Sequence, residues 1–359
     1  SGNVTAMRRD GERYMSKSKR NYDAERYAVL AAVYPKAGTS IDNSSVGAYR
    51  TKTVKAGEFL YVACYPLISL QQRQLQESEL EALKREKARA IQAKYARYNN
   101  GRRLMAFEQL VHANFGKGDF HVTCTYENPG LSDIPCAESE MEYRDREQAK
   151  RDAENYIKRI KRLLKRHGCD VNEFRYIKVT VTKTHDPEAR RPFPDVHHHH
   201  ILMHGVPEEL RGEVERLWPF GYCNADRLQP DDKGVSAMAG YVGRQENSAN
   251  GDHARGEKSW SGSKNLIRPE VKTSDARISR RRAAQIAADV RANAQEIFGK
   301  IYPEYRLVEW PKVETSEFVA GGYIYAKLRR TTSDRKGGNT YGKDQSGLVR
   351  KARDLAGEV

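Results

Sequence analysis

The chain has 359 residues, 38% of them hydrophobic, enough to bury a substantial core and to divide into two domains, or three. Lys and Arg number 63 against 48 Asp and Glu, a formal net charge of +15, which favours a polyanionic partner and puts nucleic acid ahead of an anionic membrane surface. The longest strongly apolar run, Phe59 to Leu70, is too short to span a bilayer, no signal pattern is visible at the N-terminus, and Cys64, Cys124, Cys136, Cys169 and Cys223 form no CxxC pair, which argues against a membrane span, a disulfide framework or a cysteine zinc site.

Residues 1–50 are polar and rich in Lys, Arg, Ser and Asn, and read as a flexible basic arm to which no chemistry is assigned. The opening Ser1, Gly2 and Asn3 read as a processing scar. Between Gln71 and Phe115, Leu75, Leu80, Leu83, Ile91, Leu104, Phe107, Leu110 and Val111 recur at mostly helical intervals, predicting two helices broken near Asn99-Asn100-Gly101. Residues 119–126 alternate Phe120, Val122, Cys124 and Tyr126 with His121, Thr123 and Thr125, the period of a strand.

A loop with Pro129, Gly130 and Pro135 leads to a helix over 138–167, whose apolar face carries Tyr156, Ile157, Ile160, Leu163 and Leu164 before Gly168 stops it. Residues 174–182 predict a strand. After the Pro-rich turn 189–195 comes a second strand, His197 to Met203. Residues 207–218 open on Pro207 and two acids, as helices prefer. Residues 221–229 suggest another strand, and 231–245 a helix entered through Asp231 or Asp232 as cap.

This order, strand, helix, strand, strand, helix, strand, helix, predicts an α+β fold with an antiparallel sheet and helices on one face. Beyond Gln245 the pattern predicts a loop, an Arg-rich helical stretch over 275–298, a short segment at 321–330 and a basic tail. The expected organisation is a basic arm and helical region (1–104), a central domain (105–255) and a basic helical region (256–359).

Residues 197–200 are four consecutive histidines running directly into Ile201, Leu202 and Met203, unlike a terminal tag. On a strand, residues two apart share a side and lie roughly 6.6 Å apart, so His198 and His200 aim at one point while His197 and His199 face away. Neutral imidazole is a common ligand of divalent ions. Four imidazoles beside an apolar strand are costly to desolvate without partners, which favours a metal site over a solvated strand end. His185, Asp186 and Glu188 each offer a third ligand.

Three pieces in this order, residues 120–126, the strand 197–203 and the Gly240-to-Gln245 helix with Tyr241 and Arg244, resemble the motifs of the HUH endonucleases. Within that superfamily the chain is similar to the single-tyrosine rolling-circle replication initiators of single-stranded DNA phages and plasmids. The resemblance covers about residues 105–250 and implies a ferredoxin-like or RNA-recognition-like α+β sheet, with helical N- and C-terminal extensions. It implies Tyr241 as nucleophile, Arg244 as phosphate clamp where Lys is usual, and His198 and His200 as ligands of a divalent ion, Mn or Mg; the third ligand is left open by the resemblance, with His185 the candidate carried forward.

His199 occupies a place that is ordinarily bulky and apolar, and the strand before the histidines lacks the family's frequent Glu. Tyr222 is the reserve nucleophile. His121, Thr123, Thr125, Arg280 and Arg281 are the candidate DNA contacts. The implied partners are single-stranded DNA or an origin hairpin, with a host helicase and polymerase, in the cytoplasm of a bacterial cell. Two alternatives stay open: a single-tyrosine transposase on the same fold, and a noncatalytic nucleic-acid-binding module with a base-stacking sheet.

Overall fold

The computed structural model describes residues 31–36, 41–68, 88–127, 145–183, 196–245, 260–316 and 320–331. The candidate ligands His185, Asp186 and Glu188, the loop at 128–144, the basic arm before residue 31 and the tail after residue 331 lie outside these residues.

Residues 120–227 build a sheet from β3 (Phe120–Thr125), β4 (Arg175–Lys183), β5 (Val196–His204) and β6 (Cys223–Arg227), with helix α2 (Arg146–Arg166) after β3 and the short α3 (Arg211–Arg216) after β5. A two-residue strand, β7 (Ser261–Gly262), completes the sheet in the order β6-β3-β5-β4-β7, with every pair antiparallel. The predicted order of elements is the observed one.

Strand alternation gives this sheet two different faces. Phe120, Val122, Ile201 and Met203 pack with Tyr156, Ile157, Ile160, Leu163 and Leu164 of α2 on the rear face. Asp145 caps α2, accepting from the Gln148 amide at 2.7 Å, and Gly168 stops it at φ 71°, a conformation glycine adopts without a Cβ penalty. Ile177, Val179, Val181 and Leu202 point to the front face, under α1 (Ala88–Asn114) and α4 (Ser236–Gln245), which supply Phe107, Leu110, Val111, Ala239 and Val242. Helices therefore cover both faces, a correction to the one-sided packing expected. The reason is that the sheet is apolar at both parities: β3 and β5 turn Phe120, Val122, Ile201 and Met203 to the rear, while β4 turns Ile177, Val179 and Val181 to the front, so neither face can be left to water.

Other departures have local causes. A single helix α1 runs through Asn99-Asn100-Gly101. That stretch holds no proline, and the i,i+3 bond from Arg103 Nη2 to Asn100 Oδ1, 3.2 Å, bridges it. Asp231 does not cap α4: its carboxylate accepts from the Lys233 amide at 2.7 Å in a tight turn, and the helix begins at Ser236. The Arg-rich stretch is two helices, α5 (Arg280–Ala288) and α6 (Val290–Ile301), jointed at Asp289, whose extended backbone ends one and whose side chain caps the other by accepting from the Ala292 amide at 2.9 Å.

The regions expected to be helical extensions contribute strands to a second sheet. β1 (Val46–Ala56), β2 (Phe59–Ile68), β8 (Glu270–Ser274), β10 (Lys312–Thr315) and β11 (Gly322–Arg330) take the order β10-β11-β2-β1-β8, with β9 (Tyr305–Leu307) also on β11. β1 meets β8, and β2 meets β11, across more than 200 residues of sequence, so no local pattern announces those two pairings. The boundary expected at 104–105 falls inside α1. Among the described residues no helix is long and apolar enough to cross a membrane.

A buried polar chain joins the two sheets at the start of α4. Lys327 on β11 donates to Glu108 Oε1 of α1 at 2.7 Å and also to Ser236 Oγ, the first residue of α4. Tyr61 on β2 donates to Glu108 at 3.0 Å and stands 2.7 Å from His112 Nδ1, while the Val235 amide donates to His112 Nε2 at 3.1 Å. An amide can only donate, so Nε2 accepts and the ring proton sits on Nδ1.

Burial works against the Glu108 charge, yet the bonds from Lys327 and Ser236 outweigh it and hold the carboxyl below its ordinary range. Gly234, at φ 73°, lets the turn approach this cluster: a Cβ there would lie 2.7 Å from the Phe59 ring. Lys327→Met strands the Glu108 charge and should lower the unfolding free energy by about 3 kcal/mol in urea titrations. Adding Glu108→Leu should recover most of the loss, and an unchanged midpoint in the single variant would count against the ion pair.

Candidate active site

The antiparallel register arranges the front face of the central sheet as a grid. Tyr222, Thr125, His198 and Val181 form one cross-strand row, Asn224, Thr123, His200 and Val179 the next, and Asp226, His121, Leu202 and Ile177 the third. Directly opposed residues share a face. His198 and His200 therefore lie side by side as the strand period predicts, their rings 5.0 Å apart and nearly perpendicular. His121 joins them from β3, stacked on His200 at 5.2 Å with its Nε2 3.1 Å from His200 Nδ1. Thr123 Oγ1 stands 3.4 Å from the same His200 nitrogen. Burial lowers the His121 pKa, with Asp226 opposing the shift.

Helix α4 brings Tyr241 to this group. Ala239 and Val242, with Val235 just before the helix, form a seam buried against the sheet, which leaves Tyr241 off the seam, 44% exposed, with its ring edge-on to His200 at 5.2 Å. Gly243 permits the close approach of α4 to α1: a Cβ there would meet Leu104 Cδ2 at 2.9 Å. Arg244 follows on the same helix, one turn from Tyr241. Tyr222, the reserve nucleophile, is 68% exposed just before the outer strand β6, two strands away from His198 and His200.

The other two histidines have a different task. His199 is fully buried on the rear face, with Tyr126 Oη 3.2 Å from Nε2 and Thr180 Oγ1 3.1 Å from Nδ1. Tyr126 donates its only proton to Asp152 at 3.3 Å, so His199 Nε2–H donates to the tyrosine oxygen and Nδ1 accepts from Thr180. His197 is likewise buried, its Nδ1 3.0 Å from Thr182 Oγ1. Burial, and behind it Lys178 and the neighbouring histidines, depress the His199 pKa to about 3. A neutral imidazole with both nitrogens bonded serves as a core side chain where an apolar residue was expected.

The donor set suits a divalent transition ion, since His198, His200 and His121 put three imidazoles on one face. In the hydrogen-bonded arrangement, however, His121 and His200 point nitrogens at each other, and among the described residues no three His, Cys, Asp or Glu side chains converge on a metal position. His121 was assigned to DNA contact in the sequence; its place beside His200 makes it the described alternative to His185 as a third donor. The signal was available: His121 has the same strand parity as Thr123 and Thr125.

Arg280 and Arg281 sit far along the chain on α5. Arg280 Nη1 donates to the Val46 carbonyl at 3.1 Å and so ties α5 to β1, whereas Arg281 is exposed.

The neutral histidines make stability depend on pH. His112 is also depressed to about 3, by burial and then by Lys327. In the unfolded chain these rings take up protons below about 6.5, whereas the folded chain resists until near 3; stability is thus complete above about 6.5 and is lost as pH falls toward 3. Each ring contributes a slope of about 1.4 kcal/mol per pH unit within that window. His199→Leu should flatten the slope by one such increment between pH 6 and 4 and cost about 1–3 kcal/mol at pH 7 through the bonds lost to Thr180 and Tyr126. Denaturant midpoints measured across that range decide it, and parallel curves for the two proteins would refute the assignment. Comparison of the chain with protein-family models, with curated proteins and with solved structures finds no match.

Proposed function

We propose that this protein is a metal-dependent endonuclease and strand transferase of the HUH type, acting on single-stranded DNA to initiate rolling-circle replication. The observation that carries the reading is the placement of Tyr241 against His200, on the one sheet face that also bears His198 and His121. A half-exposed tyrosine ring packed edge-on to a cluster of buried imidazoles is the arrangement a phenol nucleophile at such a site requires. The β3-α2-β4-β5-α3-β6 order with β3 and β5 as inner strands supports a ferredoxin-like unit. The net charge of +15 supports a polyanionic substrate.

In this reading His198 and His200, with His121 or His185, hold a Mn or Mg ion, which when bound polarises the scissile phosphoryl group and offsets the charge that develops there. Tyr241 supplies the nucleophile. Its oxygen bonds to phosphorus as the bond to the 3′ oxygen of the preceding nucleotide breaks; the phenol proton is lost to solvent and the leaving oxygen is protonated. The 5′ phosphate stays on Tyr241, the free 3′ hydroxyl is a primer for a host polymerase, and reversal of the step rejoins strands. Arg244 follows on the same helix as a clamp for the phosphate. Unwinding falls to a host helicase, and the reaction belongs in the bacterial cytoplasm.

Incubation with labelled single-stranded oligonucleotides and Mn²⁺ or Mg²⁺, followed by a denaturing gel, should reveal a covalent protein-DNA adduct. Tyr241→Phe should abolish it while DNA binding changes less than about twofold, and His198→Ala with His200→Ala should reduce it by about 100-fold or more. Adduct formation by the Phe variant would remove Tyr241 from this role. DNA binding without any adduct, across all oligonucleotides and both ions, would leave a noncatalytic binding module.

A further inference from the structure

We infer that the outer strand of the central sheet is a base-binding strip, in which Tyr222 stacks on an unpaired base of a single-stranded nucleic acid beside the histidine face. The inference rests on the function proposed above for its substrate class and adds a site to it. Three observations converge. Tyr222, the residue just before β6, is 68% exposed, a large aromatic face open to solvent beside the sheet. Its place is built: the Thr125 amide donates to the Tyr222 carbonyl at 2.9 Å, and the Glu127 amide to the Phe220 carbonyl at 2.8 Å. Gly221 between them, at φ 147°, makes an approach that a Cβ would block, since it would lie 2.6 Å from the Thr125 carbonyl oxygen. The ring thus stands on backbone held on both sides of a constrained glycine.

The backbone bond also fixes where the residue stands. Tyr222 lies opposite Thr125, which pairs with His198, so it is two strand spacings, roughly 10 Å, from His198. One row along the same outer strand is Asn224, and beyond it the exposed Asp226, whose carboxylate accepts from Asn224 Nδ2 at 2.6 Å. A phosphate is repelled by a carboxylate, whereas a base edge with an exocyclic amino group is attracted by one. The strip therefore suits bases, with the sugar-phosphate backbone passing over the histidines instead. An aromatic face two strands from the reacting group would hold a nucleotide next to the scissile phosphate and set where the strand is cut.

Binding of single-stranded oligonucleotides carrying the fluorescent base 2-aminopurine at successive positions tests this, with Tyr241→Phe as the background so that no cleavage intervenes. One position should be quenched on binding. Tyr222→Ala should abolish that quenching and weaken binding by about 10-fold, while Tyr222→Phe and Tyr222→Trp keep both, because stacking needs the ring and not the hydroxyl. In the Tyr241-containing protein, Tyr222→Ala should still form the covalent adduct at saturating DNA. Unchanged affinity and quenching in Tyr222→Ala would overturn the strip and leave the proposed function standing. Loss of the adduct in Tyr222→Phe would make Tyr222 the nucleophile and overturn it as well, and absence of any single-stranded DNA binding would overturn both readings.

Discussion

The two-residue period of β5 is the constraint on which the rest of the site depends. It sends His198 and His200 forward and His197 and His199 back, and a slip of one residue would exchange the pairs completely. The slip is opposed from the rear. Thr180 and Thr182 on β4 bond His199 and His197, and Ile201 and Met203 are sunk in the α2 core. A one-residue slip would turn Ile201 and Met203 out of that core and put His198, His200 and His204 at the rear parity in their stead. The buried bonds of one pair thus hold the other pair in place.

The two faces differ because their covers differ. The rear is closed by α2 and by the Tyr126, Trp218 and Phe220 ring cluster, and its His199 imidazole is dry and neutral. On the front, α4 presses its apolar seam on the β4 side of the sheet. The β3 and β6 side keeps the polar Thr123, Thr125, Asn224 and Asp226. Tyr241 stands at the border between these zones. The role proposed for it as nucleophile would use such a border, since a fully solvated ring is not positioned and burial holds phenols such as Tyr49 and Tyr61 in the protonated form.

Much of the central sheet was legible in the sequence because its signals are local. Alternation in 120–125 and 197–203, the apolar stripe of α2 and the stop at Gly168 each act within one element, and the division of the histidines by parity followed from them. The second sheet was not legible. β2 reads as a continuous apolar run because it is an inner strand between β1 and β11, and β1 finds β8 only across more than 200 residues. The partnership of Lys327 with Glu108 is invisible for the same reason, since nothing near either residue marks it. The segment after α4 carried no assigned role in the sequence; Ser261 and Gly262 pair with β4 and cover its open edge, with Leu266 buried behind them.

β11 leaves the ribosome after every other described strand, yet it lies between β2 and β10 and carries the ammonium that neutralises Glu108. Until it docks, the nascent polypeptide holds Tyr241 on a helix whose first turn lacks one of its anchors, with β2 still short of a neighbour. Translation that stops before residue 322 would therefore yield a chain whose histidine sheet can form while the seat of the tyrosine helix remains unfinished.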